Sequence, residues 1–289
     1  QGFPSMAVAW RISNENFLKD SEVVSELKLR ASYGETGNQA VDPYSSIARI
    51  GTGVPYFYDG TTPSISTPLG APAPQDLKWE VAKQTDIGVD ASLYNGRLRL
   101  SADWYNKDVT DLLYSQTAPL YFGGQDYDTN LGELNNSGFE FSIGGTPINK
   151  GDFKWNSSFN ISFNTNEVID LGGLDDIPAG TGNPDFSWGF INDFRYKNWS
   201  ASIFFQGVSG NDVYSRTLAY TWGGQGQAQH PTNADAVNLW TPANETENPK
   251  YTSTGKNFLN SSRYVYDATY FRLKNLLIAY KLPLEILSK

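Results

Sequence analysis

The chain has 289 residues, a formal net charge of −9 and no cysteine, and aromatic residues make up 14% of it. The lack of cysteine excludes a disulfide framework and a thiolate metal site. The acidic balance argues against binding nucleic acid through a general basic field. The aromatic content is too high for a disordered chain. The sequence contains no run of about 18 apolar residues, so no transmembrane helix is predicted.

Amphipathic stretches typical of β-strands recur in pairs along the chain. In the clearest pair, apolar and polar residues alternate over 79–93 and again over 98–106, and the Asn-Gly sequence between them is a hairpin turn signal. Two further hairpins are predicted, with turns at 147–151 and 197–198. The pattern predicts about a dozen strands in all. The others include residues 6–12, 27–33, 139–143, 153–163, 186–196, 199–206 and 270–282.

Long polar loops separate the strand pairs, over 34–76, 108–134 and 208–262, with a short strand predicted near 44–50. Short turns at one end and long loops at the other are typical of an outer-membrane β-barrel. Such barrels also carry aromatic girdles at the two membrane interfaces. The aromatic residues predicted to lie there are Trp79, Tyr94, Trp104, Tyr105, Trp155, Tyr196 and Trp199.

Two other kinds of protein fit parts of this pattern. A soluble β-sandwich that binds carbohydrate also alternates and is rich in turns. Strands of about ten residues or more are longer than usual in sandwiches, and the long loops lie at one end only, which favours the barrel. A structural or adhesive surface barrel without transport is the third hypothesis.

The sequence contains no recognisable catalytic or metal-binding motif. His230 is the only histidine and lies in a loop rich in Gln and Gly. No Gly-x-Ser-x-Gly motif or histidine pair accompanies it. Asp170, Asp175 and Asp176 do not follow the spacing of an EF-hand loop. We therefore expect no enzyme activity, no metal and no cofactor.

The long loops carry aromatic rings beside polar side chains, which is the composition typical of ligand sites. We predict that these residues contact a ligand such as a glycan or a peptide: Tyr56, Tyr58, Tyr121, Phe122, Asp126, Tyr220, Trp222, Gln225 and Trp240. The competing interpretation is that the aromatic side chains only pack the loops or a partner protein.

Short blocks of sequence, spread in a fixed order over most of the chain, resemble one known family. The first is Phe3-Pro4-Ser5 with Ala9-Trp10-Arg11-Ile12-Ser13, and the last is Tyr280-Lys281-Leu282-Pro283. The blocks between them are 27–38, 77–80, 84–88, 94–98, 104–107, 111–113, 130–140 and 267–276. In these blocks the chain resembles SusC/RagA-type TonB-linked outer-membrane proteins.

The resemblance implies an all-β protein, an antiparallel transmembrane β-barrel of about 22 strands around an N-terminal plug. Residues 1–289 would form part of its C-terminal half, and we expect the plug and the last strands to lie outside this sequence. The implied function is uptake of oligosaccharides or peptides across the outer membrane. The implied partners are a SusD-like surface lipoprotein, the TonB-ExbB-ExbD complex and outer-membrane lipid, with no nucleic acid.

One segment departs from the family pattern. Residues 171–185 stand where the family usually carries a longer stretch rich in Asp and Gly. The short segment is either a natural deletion or the result of omitted residues, and the sequence leaves both interpretations open.

Overall fold

The computed structural model describes residues 2–41, 43–47, 54–57, 60–66, 72–120, 125–170, 172, 182–217, 240–246 and 262–282. Strands dominate these residues. In chain order they are β1 (Ser5–Arg11), β2 (Val24–Asn38), β3 (Val54–Phe57), β4 (Pro63–Ser66), β5 (Glu80–Leu93), β6 (Leu98–Thr110), β7 (Leu113–Thr117), β8 (Asp126–Asn130), β9 (Glu133–Lys150), β10 (Phe153–Asp170), β11 (Phe186–Tyr196), β12 (Trp199–Ser209), β13 (Asp212–Tyr214), β14 (Val265–Asp267) and β15 (Tyr270–Tyr280). Short 3-10 helices follow β1 at Ile12–Asn14 and precede β14 at Ser262–Tyr264.

Nine of these strands form one antiparallel sheet in which neighbours follow chain order, from β1 through β2, β5, β6, β9, β10, β11 and β12 to β15. The other six form the two-stranded hairpins β3–β4, β7–β8 and β13–β14. Such an up-and-down arrangement is typical of barrel walls, whereas a β-sandwich divides its strands between two facing sheets. The sandwich alternative is therefore wrong. In the described residues, no helix is long and apolar enough to cross a membrane.

Short turns join strands at one end of the sheet, which we call the turn end. Between β5 and β6 the turn comprises residues 94–97, and its first three residues all have positive φ. Asparagine and glycine adopt this left-handed backbone at lower cost than other residues, so Asn95-Gly96 specifies the turn. Between β11 and β12 the turn is Lys197 and Asn198 alone. Both turns are as predicted.

The turn predicted at 147–151 is shorter than expected. β9 continues through Pro147, and only Gly151 and Asp152 connect it to β10. Proline lacks the N–H that a strand residue normally donates to its neighbour. The pairing of β9 with β10 shifts register beside this proline, and a β-bulge is one of the places where a strand tolerates proline.

The opposite end of the sheet, the loop end, contains more strands than the sequence predicts. Residues 108–134 are predicted as a loop, but β7 and β8 pair there along their whole length. β3 and β4 form a second hairpin within the predicted 34–76 loop. The strand predicted near 44–50 is wrong for residues 44–47, which form turns, and residues 48–50 lie outside the described part of the chain.

Alternation gives the sheet an apolar face and a polar face. One register row of the apolar face is Leu29, Val89, Ala102 and Phe141, and the adjacent row of the polar face is Arg30, Gly88, Asp103 and Glu140. Large apolar side chains remain exposed on the apolar face, with Ile87 at 53% and Phe139 at 59%. An exposed apolar face of this extent suits a barrel wall covered by lipid.

Several aromatic residues of the predicted girdle lie near one end of the sheet, and the prediction is wrong for Tyr105. Tyr94, Tyr196 and Trp199 lie exposed at the turn end, and Trp199 packs against Tyr280 with ring centroids 4.7 Å apart. Tyr105 instead lies on the polar face, because a position next to Trp104 in a strand points to the opposite side.

The assignment of the two faces can be tested with arginine substitutions at two positions of neighbouring strands. We expect Ala102→Arg on the apolar face to cost about 2–4 kcal/mol of folding free energy, which is the cost of arginine near the middle of a bilayer. Ser142→Arg on the polar face should cost much less. The measurement is the unfolding of the intact gene product in lipid vesicles by denaturant. Equal costs for the two variants would contradict the assignment.

Candidate functional site: the polar face and the loop end

A charged cluster on the polar face joins three strands. The Arg30 guanidinium of β2 donates to both carboxylate oxygens of Asp90 on β5, at 2.8 and 3.1 Å. Its Nη2 also donates to Asp103 Oδ1 on β6 at 2.6 Å. The other oxygen of Asp103 accepts from the Ser101 hydroxyl at 2.8 Å. The cluster has one cation and two carboxylates, and each of the three charged side chains is about a third exposed.

Glycine allows this cluster to form. Gly88 of β5 stands between Arg30 and Asp103 in the register row, because it pairs with Arg30 of β2 on one side and with Asp103 of β6 on the other. A Cβ at this position would overlap the Asp103 carboxylate and come within 2.9 Å of two guanidinium atoms of Arg30. The missing side chain therefore lets an arginine reach a carboxylate two strands away.

The same arrangement occurs further along the polar face. The Tyr105 hydroxyl of β6 donates to Asn164 Oδ1 of β10 at 2.5 Å. Gly138 of β9 lies between them, and a Cβ there would come within 2.7 Å of the tyrosine ring and 2.8 Å of the asparagine oxygen. On the apolar face, Trp188 covers Gly207 and stacks on Phe271. Large side chains that cover strand glycines are a known means of supporting curved sheets.

A concave groove of about 510 Å³ adjoins the Arg30 cluster on the polar face. The side chains of this face that line it are mainly hydroxyl, amide and charged groups. They are Glu26, Asp90, Ser92, Arg99, Ser101, Ser142, Ser158 and Asn160. Such a lining can exchange hydrogen bonds with polar backbone, sugar hydroxyls or water, and it offers both charge signs to whatever lies against it.

At the loop end, one side chain holds two connections together. Asn130 of β8 accepts from the Lys78 backbone N–H at 2.7 Å and donates to the Lys78 carbonyl at 3.0 Å. It also donates to the Asp111 carbonyl at 2.8 Å. The clamp fixes the β7–β8 hairpin to the segment that enters β5. No pattern in the sequence predicts this role, because the two segments are far apart in the chain.

Two of the predicted ligand residues have described side chains. Asp126 begins β8 and accepts a hydrogen bond from the Thr117 hydroxyl at 2.7 Å. Trp240 is 38% exposed and lies next to the bridge between Thr241 and Asn244. Tyr56 lies on β3 opposite Ser64. The remaining predicted residues lie outside the described part of the chain: Tyr58, Tyr121, Phe122, Tyr220, Trp222 and Gln225.

Two acidic residues at the loop end accept hydrogen bonds from backbone N–H groups two positions further along the chain. Asp170 Oδ1 accepts from the Gly172 N–H at 2.9 Å, and Asp267 Oδ1 accepts from the Thr269 N–H at 2.7 Å just before β15. Hydrogen bonds from the Thr269 side chain and backbone lower the pKa of the Asp267 carboxyl. Across the described ranges, no group of three or more acidic, histidine or cysteine residues could hold a metal ion; Asp175, Asp176 and His230 lie outside them.

The role of Gly88 can be tested by adding a single methyl group. We expect Gly88→Ala to lower the free energy of unfolding by about 1–3 kcal/mol, because overpacking forces the Arg30 cluster apart. Gly34→Ala is the matched control, since its Cβ would meet only the Ser5 Cβ at an ordinary 3.6 Å. The measurement is the heat-unfolding midpoint of the intact gene product on semi-native gels. Equal midpoints for the two variants would contradict the role.

The family comparison covers nearly the whole chain. The family model described as TonB dependent receptor-like, beta-barrel matches residues 1–287. TonB-dependent receptor P3 of Formosa agariphila is 35% identical over 99% of this chain and 35% of its own length. TonB-dependent receptor SusC of Bacteroides thetaiotaomicron is 38% identical over 60% of this chain and 18% of its own length. The chain thus spans about a third of the length of the curated relative P3.

Solved structures agree with the fold. The RagAB peptide importer in its closed-closed state superposes with a TM-score of 0.81 over 98% of this chain and 37% of that chain, at 23% sequence identity. The similar proteins are receptors and importers rather than enzymes. With the nine-stranded antiparallel meander and its apolar outer face, these matches show that the chain belongs to the TonB-dependent receptor family of SusC/RagA type and has the fold of its outer-membrane β-barrel.

Proposed function

We propose that the protein takes up oligosaccharides or peptides across the outer membrane with energy from the TonB-ExbB-ExbD complex. A SusD-like surface lipoprotein would bind the solute together with it at the loop end. The polar face of the nine-stranded sheet, with its continuous rows of charged, hydroxyl and amide groups, is the observation that carries this proposal. In a closed barrel this face lines the lumen.

The chemistry of the polar face suits a hydrated path. Arg30 neutralises part of the charge of Asp90 and Asp103, while Arg99 and several serines line the adjoining groove. Both charge signs and many neutral hydrogen-bonding groups are therefore available. Such a wall can accept the polar surface of a plug and allow a polar solute to pass, and it favours neither glycans nor peptides.

One of the similar proteins bears directly on the solute class. RagAB is a peptide importer, whereas the name of the curated relative SusC states no solute. We retain the loop residues Tyr56, Tyr58, Tyr121, Phe122, Asp126, Tyr220, Trp222, Gln225 and Trp240 as proposed ligand contacts. Trp240 is the most direct of these to test, since its exposed ring has room to stack on a sugar or a side chain.

Uptake can be tested in the native host with the gene deleted and then restored. We expect the deletion to abolish periplasmic uptake of one labelled mixture, oligosaccharides or peptides. The restored gene should recover it only when TonB is present. A tagged copy of the intact gene product should retain a surface lipoprotein in mild detergent. If the protein is correctly inserted but its deletion changes the uptake of neither oligosaccharides nor peptides, the result would contradict transport and favour the adhesive-barrel hypothesis.

Ligand contact by Trp240 gives a separate prediction. We expect Trp240→Ala to weaken binding of the imported solute about fivefold or more, because stacking on an aromatic ring contributes roughly 1 kcal/mol beyond buried area. Trp199→Ala is the control, since this tryptophan is also exposed, at 54%, but lies at the turn end. Binding would be measured by calorimetry on the intact gene product. If the two variants bind alike, Trp240 is not a ligand contact.

A further inference from the structure

A recess interrupts the apolar face near the turn end. Its volume is about 500 Å³, and apolar groups form most of its surface. The walls are large apolar side chains from four strands, and the floor is formed by small residues. The walls are Leu98, Ile143, Phe159 and Phe190, and the floor residues include Gly145 and Ser157.

Close backbone packing explains why the recess is there. The Arg97 carbonyl accepts from the Thr146 N–H at 2.9 Å, and a Cβ at Gly145 would overlap that carbonyl. Ser157 pairs with Gly145 on the neighbouring strand and adds little volume. The strand pairing therefore requires a position without a side chain, and a shallow hole on the outer surface is the result.

The rim of the recess nearest the turn is polar. Tyr94 and Arg97 of the β5–β6 turn line it, and Tyr94 is 53% exposed. Arg97 makes a weak 3.4 Å hydrogen bond to the Pro147 carbonyl, and no carboxylate in the described ranges forms an ion pair with it. Its guanidinium therefore keeps most of its five donors available at the edge of an apolar hole.

We propose that this recess holds one acyl chain of a phospholipid whose phosphate binds Arg97, with Tyr94 beside it. The short turns of outer-membrane barrels lie on the periplasmic side, so the recess opens into the leaflet where lipid phosphates lie beside acyl chains. Arginine binds phosphate through two parallel hydrogen bonds. An unfilled hole of this size would forfeit dispersion contacts along its walls.

Charge in the three short turns on the recess side of the sheet supports a phosphate-bearing occupant, whereas Glu15, Asp20 and Glu22 lie in the β1–β2 connection on the other side of the β5–β6 turn. The three short turns and the strand residues that flank them contain Arg97, Lys150 and Lys197. Lys281 follows β15 at the same end, where its N–H donates to the Asn198 carbonyl at 2.8 Å. Asp152 is the acidic residue within these turns. This cationic rim lies where lipid headgroups are expected, whereas a second protein would meet a small hole rather than a broad complementary surface.

The experiment counts phospholipids that stay bound to the intact gene product during native mass spectrometry. We expect Arg97→Gln to lose one bound phospholipid relative to the unchanged protein. Lys150→Gln is the matched control, because it removes a cation from a neighbouring turn that does not line the recess, and it should retain that lipid. Ser157→Phe, which fills the recess from its floor, should also lose one.

The outcomes separate the proposal from its competitors. Retention of every lipid by both Arg97→Gln and Ser157→Phe would overturn it. Equal loss from Arg97→Gln and Lys150→Gln would indicate a diffuse charge effect and would also overturn it. Reconstitution with phosphatidylethanolamine or phosphatidylglycerol tells whether the shared phosphate or a net negative headgroup is recognised. Because Arg97→Gln leaves the apolar wall intact, it keeps the test valid should Ser157→Phe fail to fold. The result is independent of the imported solute.

Discussion

The antiparallel hydrogen-bond ladder is the constraint on which the rest of this structure depends. Within hydrocarbon, a backbone N–H or carbonyl without a partner costs several kcal/mol, so the ladder has to continue from strand to strand. Its register then decides which side chains meet lipid. Where a strand carries an extra residue, a bulge restores the alternation. Ile143 and Ile148 of β9 thus both lie on the apolar face although five positions separate them, because the register shifts between them.

Glycines in the strands allow side chains of the two flanking strands to reach each other across the strand between them. A ladder alone connects each strand only to the next one, but Arg30 reaches Asp103 over Gly88, and Tyr105 reaches Asn164 over Gly138. Each contact links two strands across a third strand that lies between them. Glycine in a strand costs about 0.5–1 kcal/mol relative to alanine. The contacts across the glycine offset this cost, and any side chain at that position would block them.

The sequence specifies the sheet more clearly than the loop end. Alternation and the Asn95-Gly96 signal predict β5, β6 and their turn, because both depend on local residue preferences. The same patterns do not predict the β7–β8 hairpin, because its strands are short. The hairpin also relies on Asn130, which bonds to Lys78, 52 residues away.

Single side chains can also be placed wrongly by composition. Tyr105 counts as an interfacial aromatic by residue type, yet its register places it on the polar face with a hydrogen bond to Asn164. The Arg30 cluster likewise could be predicted only as a set of polar residues facing one side. The crossing over Gly88 depends on the exact register of three strands, and alternation within one strand carries no information about pairing between strands.

Backbone and side-chain hydrogen bonds together hold the connections at both ends of the sheet. At the turn end, backbone groups link neighbouring turns, as where Lys197 N–H donates to the Asp152 carbonyl at 3.2 Å. At the loop end, the Leu131 N–H donates to the Leu112 carbonyl at 2.8 Å, and the side chains of Asn130 and Thr117 add further hydrogen bonds. Backbone links persist whatever residues occupy the turns, whereas side-chain links change with every substitution. Substitutions of Asn130 or Thr117 would therefore change the loop end, where we propose that solutes bind, and leave the backbone bonds of both ends in place.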